Sequence, residues 1–362
     1  LVSISAFFTI SGGLKTVANT NIFQMSLLII ASSILTIAGL VEIGGIGNLI
    51  EGVDESYWKL FLPADNPEYP WYAILLGYPV MGVWFWCTDQ SMVQSVLGAK
   101  NLSQGQLGAN LTGWLKILDV PLFILPGIIC LVLFPALSDP TEAYMTMVSN
   151  LLPPGMVGLI VTVLMAALIS TIASALNSLS TLLMLDIYVK RIKPEATQRE
   201  IIFKGRLTTL AGAIASVLLA LIIATMRDMD LFSFFQAILG FLAPPITTVF
   251  LVGVLWKRAT AKAANIVLAL GTLLSLTIGV CFLNQFPNPD FWPHFLFLSF
   301  LIFVGLTLLM IIISYYTSSD ETYSQMPSLR ETYKQHVKVK PVVKYLWGLL
   351  ILVMILIYVI FN

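Results

Sequence analysis

Residues Val157 to Leu185 read VGLIVTVLMAALISTIASALNSLSTLLML. None of these side chains is charged, and the run exceeds the about 20 residues that an α-helix needs to cross a roughly 30 Å hydrocarbon core. Within it Ser170, Ser174, Asn177, Ser178 and Thr181 follow one another at spacings of four, three, one and three. That pattern lays them along one helix face, with Thr171 beside its start. Such a face is kept away from lipid, and two readings fit it. Small residues let a neighbouring helix approach closely; alternatively, hydroxyl and carbonyl oxygens near the midplane replace the water around a cation.

Working outward, comparable apolar runs occur at Met25 to Leu40, Ala73 to Leu97, Val120 to Leu137 and Leu207 to Thr225. More follow at Phe232 to Leu255, Ala263 to Phe282, Phe295 to Tyr316 and Val342 to Phe361. With the first, these predict nine membrane spans and a piece of another at Leu1 to Ile10. A chain with 58% hydrophobic and 10% charged residues has too few polar groups to cover a water-soluble globule. The chain opens at Leu1, without methionine, inside an apolar stretch, and is read as N-terminally truncated. Cys87, Cys130 and Cys281 all lie inside apolar runs, so no disulfide framework is expected. A net charge of zero argues against nucleic acid as a partner. No Gly-x-x-x-x-Gly-Lys-Ser/Thr string is present to support ATP drive.

Charge placement orients the spans. Of the nineteen Lys and Arg, Lys59 and Arg227 fall in one set of loops and Lys116 is read as lying within a span, which leaves sixteen in the alternate loops. Positive residues near span ends are retained in the cytoplasm. The opposite loops are acidic or proline-rich, as at Glu51-Gly52-Val53-Asp54-Glu55 and Phe286-Pro287-Asn288-Pro289-Asp290. Nine spans after a cytoplasmic Lys15 loop place Asn362 outside.

Polar groups inside the membrane cost a few kcal/mol each and usually face a cavity or a partner. In Trp84-Phe85-Trp86-Cys87-Thr88-Asp89-Gln90 three aromatics adjoin a carboxylate, and Gly77, Pro79 and Gly82 just before it weaken the helix. This is either an interrupted binding helix or an interfacial aromatic belt with Asp89 snorkelling outward. Lys116 and Asp119 share a helix face and either neutralise each other or meet a substrate. Gln236 is the one strongly polar side chain in mid-span within its run, followed by Gly240 and Ala243-Pro244-Pro245, and its amide needs a partner. Asp186, beside Tyr188 and Lys190, reads as an anchor at a cytoplasmic end. The two histidines, His294 and His336, lie in loops on opposite sides and leave the interior without a metal triad or a base, so an enzyme is not expected.

These segments, in order, resemble the sodium/glucose cotransporter family of sodium/solute symporters, in the manner of a bacterial-type member. The motifs that carry the resemblance are Gly12-Gly13-Leu14, Trp86-Cys87-Thr88-Asp89-Gln90 with Val93-Gln94, and Leu115-Lys116 followed by Leu125-Pro126-Gly127. Further along come Ser170-Thr171 with Ala175-Leu176-Asn177-Ser178, Asp186-Ile187-Tyr188, Phe235-Gln236 with Ala243-Pro244-Pro245, and Trp256-Lys257-Arg258. The resemblance implies an all-α polytopic membrane protein with the inverted-repeat fold of five plus five helices, lacking core helices 1 to 3 and most of 4. On that map residues 1–17 are the end of core helix 4 with a cytoplasmic turn, 18–45 core helix 5, and 46–70 an extracellular loop. Residues 71–256 are core helices 6 to 10, the second inverted repeat; 257–316 are peripheral helices 11 and 12, 317–341 a cytoplasmic loop, and 342–362 the final span.

The resemblance also implies roles. Trp86 is similar to a sugar-stacking aromatic, Phe85 stands where an inner-gate tyrosine is usual, and Asp89, Lys116 and Gln236 match polar residues lining a substrate cavity. The carbonyl of Ala167 and the hydroxyls of Ser170 and Thr171 resemble the family's main Na⁺ site. A hexose suits such a cavity, because a flat aromatic covers its C–H face while amide, ammonium and carboxylate groups meet its hydroxyls. The expectation is Na⁺-coupled symport of a sugar or polyol in the plasma membrane, with Na⁺ as coupling ion and the lipid bilayer as partner. The alternatives are another solute, such as sialic acid, a carboxylate or an amino acid, or a non-transporting sensor or channel. Asn21 stands where many members have an acidic residue, which predicts one coupled Na⁺. Leu239, where sugar-transporting relatives often carry a hydroxyl, loosens the expectation of strict glucose or galactose selectivity.

Overall fold

The protein is described by a computed structural model covering residues 2–224, 231–317 and 339–361. These residues form helices joined by loops and contain no β-strand; one isolated bridge pairs Leu62 with Pro70. In chain order the α-helices are α1 (Val2–Ile43), α2 (Ile46–Glu51), α3 (Trp71–Val83), α4 (Gln90–Leu97), α5 (Leu102–Ile117), α6 (Leu125–Leu133) and α7 (Ala143–Leu151). They continue with α8 (Pro154–Thr181), α9 (Gln198–Ala224), α10 (Leu231–Leu255), α11 (Ala261–Ile266), α12 (Thr272–Leu283), α13 (Phe295–Thr317) and α14 (Pro341–Ile360). Wide π-helical turns at Trp84–Thr88, Val120–Ile124, Leu182–Ile192 and Val267–Gly271 extend or join several of them.

Among the described residues, eight helical stretches are long and apolar enough to cross a membrane. The expected ninth, Ala73 to Leu97, is not one helix. It divides into the 13 residues of α3, a π turn and the 8 residues of α4, and neither α3 nor α4 is long enough to span alone. A second difference lies at the start of the chain, where a turn near Lys15 was expected within residues 1–17. Instead α1 runs unbroken for 42 residues. Gly12 and Gly13 lower helix propensity by about 1 kcal/mol each, but without a proline they leave the hydrogen-bond ladder intact. Most of the 317–341 loop, with Arg330, Lys334, His336 and Lys338, lies outside the described residues, as does Arg227.

The chain divides into two compact units, Leu1–Trp58 with Leu107–Met226, and Lys59–Gln106 with Arg227–Asn362. In the first, Leu35, Leu49, Ile129, Met147, Val148 and Ile160 form a fully buried core between α1, α2, α6, α7 and α8. The π turn Val120–Ile124 shifts the ladder, so that the Leu125 N–H bonds the carbonyl of Val120 instead of that of Pro121. The next donor Pro121 could reach belongs to Pro126, which has none. The Thr36 hydroxyl of α1 donates to that carbonyl at 2.9 Å.

In the second unit Ala243, Leu296, Val267 and Met310 are buried among α3, α10, α11, α12 and α13. A Cβ on Gly77 would lie 2.2 Å from the backbone oxygen of Leu296, so α3 and α13 meet at a distance only glycine permits. Two prolines sit inside α10, and Pro245 deprives the Phe241 carbonyl of its i+4 donor. Ser275 of α12 supplies the missing bond through its hydroxyl. The loop before α3 is fastened to the end of α14 by the Leu60 N–H donating to the Phe361 carbonyl at 2.8 Å and by stacking of Phe61 on Tyr358.

Candidate solute and cation sites

The break in the expected ninth span is built from its own backbone. The Asp89 N–H donates to the Trp84 carbonyl at 3.1 Å, five residues back, and the Thr88 hydroxyl donates to the same oxygen at 2.6 Å. This widened turn ends the ladder, and Asp89 leaves helical geometry at φ −65°, ψ 121°. Its carboxylate then caps α4, accepting from the Ser91 N–H at 2.9 Å, the Met92 N–H at 3.3 Å and the Ser91 hydroxyl. On the turn that Asp89 terminates, Phe85 and Trp86 meet edge to face with centroids 5.0 Å apart. Trp86 is 43% exposed, which leaves much of its indole surface accessible.

Facing α3 within the same unit, Gln236 on α10 donates through Nε2 to the Tyr78 hydroxyl at 3.3 Å. Sequence reasoning left Gln236 seeking a partner and missed Tyr78. The available signal was a polar-tipped aromatic next to Pro79 in an apolar run. One turn beyond Gln236, Leu239 packs into the apolar cluster of Ala73, Met81, Ala243 and Leu296. The second unit thus brings Phe85, Trp86 and Asp89 onto one helix break and gives Gln236 a phenol partner.

The first unit holds the remaining expected residues. Lys116 and Asp119 form an ion pair at 2.6 Å at the end of α5, and Lys116 is still 55% exposed. Of the two readings of this pair, mutual neutralisation is what the geometry contains. On α8 the Thr171 hydroxyl donates to the Ala167 carbonyl at 3.0 Å, and the Ser170 hydroxyl reaches across to the side-chain oxygen of Asn21 on α1. Three expected oxygen donors therefore fall within one turn, joined by an amide oxygen. One turn along α1 from Asn21, the Gln24 side-chain oxygen is buried with no donor. Neutral hard oxygens with an acceptor left over suit a monovalent cation. Among the described residues no group of three or more His, Cys, Asp and Glu gathers in a metal-binding cluster.

Ser178 and Thr181 donate to carbonyls four residues back in their own helix, at 2.9 and 2.8 Å. Ser180, outside the expected stripe, bonds the Gly205 carbonyl of α9 at 2.9 Å. Beyond α8, Asp186 pairs with Lys190, Lys193 pairs with Glu200 at 2.6 Å, and the Lys204 ammonium lies 4.1 Å from the Tyr188 ring centre. These contacts fit the anchoring role expected of Asp186.

The family model for the sodium:solute symporter family matches residues 1–271. The sodium/myo-inositol cotransporter 2 of Bos taurus is 32% identical over 314 residues, covering 76% of this chain and 46% of the relative. The sodium/glucose cotransporter 1 of Mus musculus is 31% identical over 366 residues, covering 88% and 55%. The chain spans about half the length of these curated relatives. A solved structure of a Na⁺-coupled sialic acid symporter, substrate-bound and outward-open, superposes with a TM-score of 0.70 at 20% identity, over 87% of this chain and 65% of that one. That likeness carries the transporter fold to this chain.

Proposed function

Because the chain belongs to the sodium:solute symporter family, we propose that the protein uses inward Na⁺ to drive a neutral polyhydroxylated solute, a hexose or polyol, across the membrane by alternating access. The observation that carries this reading is the helix break at Asp89, which interrupts a span beside an exposed Trp86 ring. Broken helices place such groups where a solute binds in transporters, and a flat indole covers a sugar's C–H face. Phe85 and Trp86 shape the apolar wall, and Gln236 with Tyr78 offers the hydroxyl-matching polar group. Asp89 adds a carboxylate to that polar group and, separately in the first unit, Lys116 is assigned a polar role toward the solute; each already holds an internal partner. The relatives whose names specify myo-inositol and glucose support a neutral polyol as cargo.

Na⁺ is the coupling ion in this reading. The Ala167 carbonyl and the Ser170 and Thr171 hydroxyls would hold it, with Asn21 as a neighbouring oxygen. Asn21 carries no charge, which favours a single Na⁺ per cycle. The units map onto core helices 5 to 10 followed by peripheral helices, in a multi-pass protein of the plasma (inner) membrane. The tie between Leu60 and Phe361 supports an external C-terminus, since it puts the end of α14 beside the loop assigned to the outside.

A competing cargo is an anion such as sialic acid, which the similar solved structure binds. The Lys116–Asp119 pair weighs against it, because the ammonium an anion would need is already neutralised. Reconstituted full-length protein given an inward Na⁺ gradient should accumulate labelled myo-inositol or glucose, and unlabelled sialic acid should not compete. Uptake unchanged when K⁺ replaces Na⁺ would defeat the proposal. Thr171→Ala should raise the Na⁺ needed for half-maximal uptake about tenfold, the worth of one good oxygen contact, with solute preference unchanged.

A further inference from the structure

The second unit contains a pocket of about 900 Å³ away from the helix break, between residues 64–72 and the connection from α12 to α13. We infer that it is a second binding site for a neutral polyhydroxylated solute, at the aqueous mouth of the unit; the choice of ligand rests on the proposed function. Its volume falls in the range of small-molecule sites, and its chemistry is one-sided. Tyr72, Trp292 and Phe295 contribute rings, Asp65 and Glu68 carboxylates and Gln285 an amide, and no Lys or Arg lines it. Neither carboxylate forms an ion pair among the described residues. Hydroxyl groups donate well to carboxylates and amide oxygens, rings cover C–H faces, and an anion would find only repulsion.

The walls are fixed before any ligand arrives. Trp292 donates its indole N–H to the Phe286 carbonyl at 2.9 Å and meets the rings of Phe282 and Phe291 edge to face at 6.0 and 5.0 Å. Its ring face is thereby set while its one donor is used internally. Tyr72 stands edge-on to Phe297 at 5.2 Å. The opposite wall is strapped by His294, whose Nε2 lies 2.7 Å from the Glu68 carbonyl and whose Nδ1 accepts the Leu296 N–H at 3.3 Å. That pattern puts the ring's proton on Nε2 and leaves the ring neutral. Burial also holds His294 below the usual histidine range, so no cation competes for Asp65 and Glu68.

This pocket is separate from the site at the break. Counting helical rise, Tyr72 lies about 9 Å above Tyr78 and about 21 Å above Trp86, further than one hexose reaches. A solute held there would be concentrated at the mouth of the unit before it meets Gln236 and Trp86.

The test is equilibrium binding of labelled myo-inositol to the full chain in nanodiscs without Na⁺, read also by tryptophan fluorescence. Asp65→Asn with Glu68→Gln should weaken this binding about tenfold, the loss of one or two hydrogen bonds to charged acceptors. Trp292→Phe should retain binding and remove the fluorescence change, and Gln236→Ala should leave binding within about twofold. Absence of Na⁺-free binding, sensitivity to Gln236→Ala alone, or displacement by choline at lower concentration than by myo-inositol would each overturn the inference. The two proposals fail separately: Na⁺-driven uptake lost with Na⁺-free binding intact counts against transport, and the reverse counts against the pocket.

Discussion

The α8 stripe and the α3–α4 break handle polar groups within a membrane in opposite ways. On α8 the hydroxyls of Thr171, Ser178 and Thr181 return to carbonyls four residues back, so the helix runs through its polar face without interruption. At Trp84–Asp89 the backbone itself gives way, and a carboxylate is committed to capping the new helix. The first arrangement leaves hydroxyl lone pairs facing outward with no change in backbone, which suits a small cation. The second ends one helix and starts another beside a part-exposed indole. Polar residues alone therefore do not break a membrane helix, and neither does a shifted ladder, since the π turn Val267–Gly271 joins α11 to α12 without interruption; the break comes where Asp89 also leaves helical dihedrals.

This contrast can be broken or sharpened by substitution, with thermal unfolding of the purified protein as the readout. The largest effect is expected at Gly77. Gly77→Val drives a side chain into the Leu296 backbone and should cost about 3 kcal/mol, whereas Gly212→Ala, which meets only the ends of the Leu179 and Leu176 side chains, should cost about 1 kcal/mol. Equal losses would mean that α3 and α13 can part as easily as a leucine can turn. Next, Ser275→Ala strands the Phe241 carbonyl and should cost about 2 kcal/mol. Thr181→Ala on α8 removes a bond to a carbonyl and should stay within about 0.5 kcal/mol.

At the break, Asp89→Ala should cost about 1 kcal/mol while Asp89→Asn, which caps almost as well, should keep both stability and uptake. Loss of uptake in Asp89→Asn would show that the charge itself meets the solute. The smallest effect concerns pH. His294 is depressed in the folded state, so its neutral form is favoured there. Its stabilising contribution is complete above the unfolded value of about 6.5 and is lost as pH falls below that toward the folded value. Unfolding of the wild type should ease across that interval, and His294→Gln should remove the slope.

Much of this was legible in the residues. Uninterrupted apolar runs announce helices because lipid offers no other partner for the backbone, and α8, α10 and α13 lie where their runs do. Trp86, Gln236 and Ser170 stood out because each is costly to bury without a purpose. What escaped was pairing across the chain. Gln236 and Tyr78 are separated by 158 positions, and Ser170 and Asn21 by 149, so no local spacing reveals either contact. The location of the break escaped for another reason. Gly77, Pro79 and Gly82 pointed upstream, whereas the ladder shifts at Trp84 and ends at Asp89, an event set by one carbonyl choosing between donors four and five residues away.

Thr36 and Ser275, described above, and Thr247, which donates to the Val80 carbonyl at 2.9 Å, each reach the backbone of a neighbouring helix at or within a turn of a proline: Thr36 to Pro121, Thr247 to Val80 next to Pro79, and Ser275 to Phe241 before Pro245. Each spans a distance that stretches little before the bond is lost, and each sits where its target helix bends most readily. Mechanically they are pivots. Tilting the joined helices about such a point stretches the bond less than sliding them past it would, with the prolines marking where each tie is mounted.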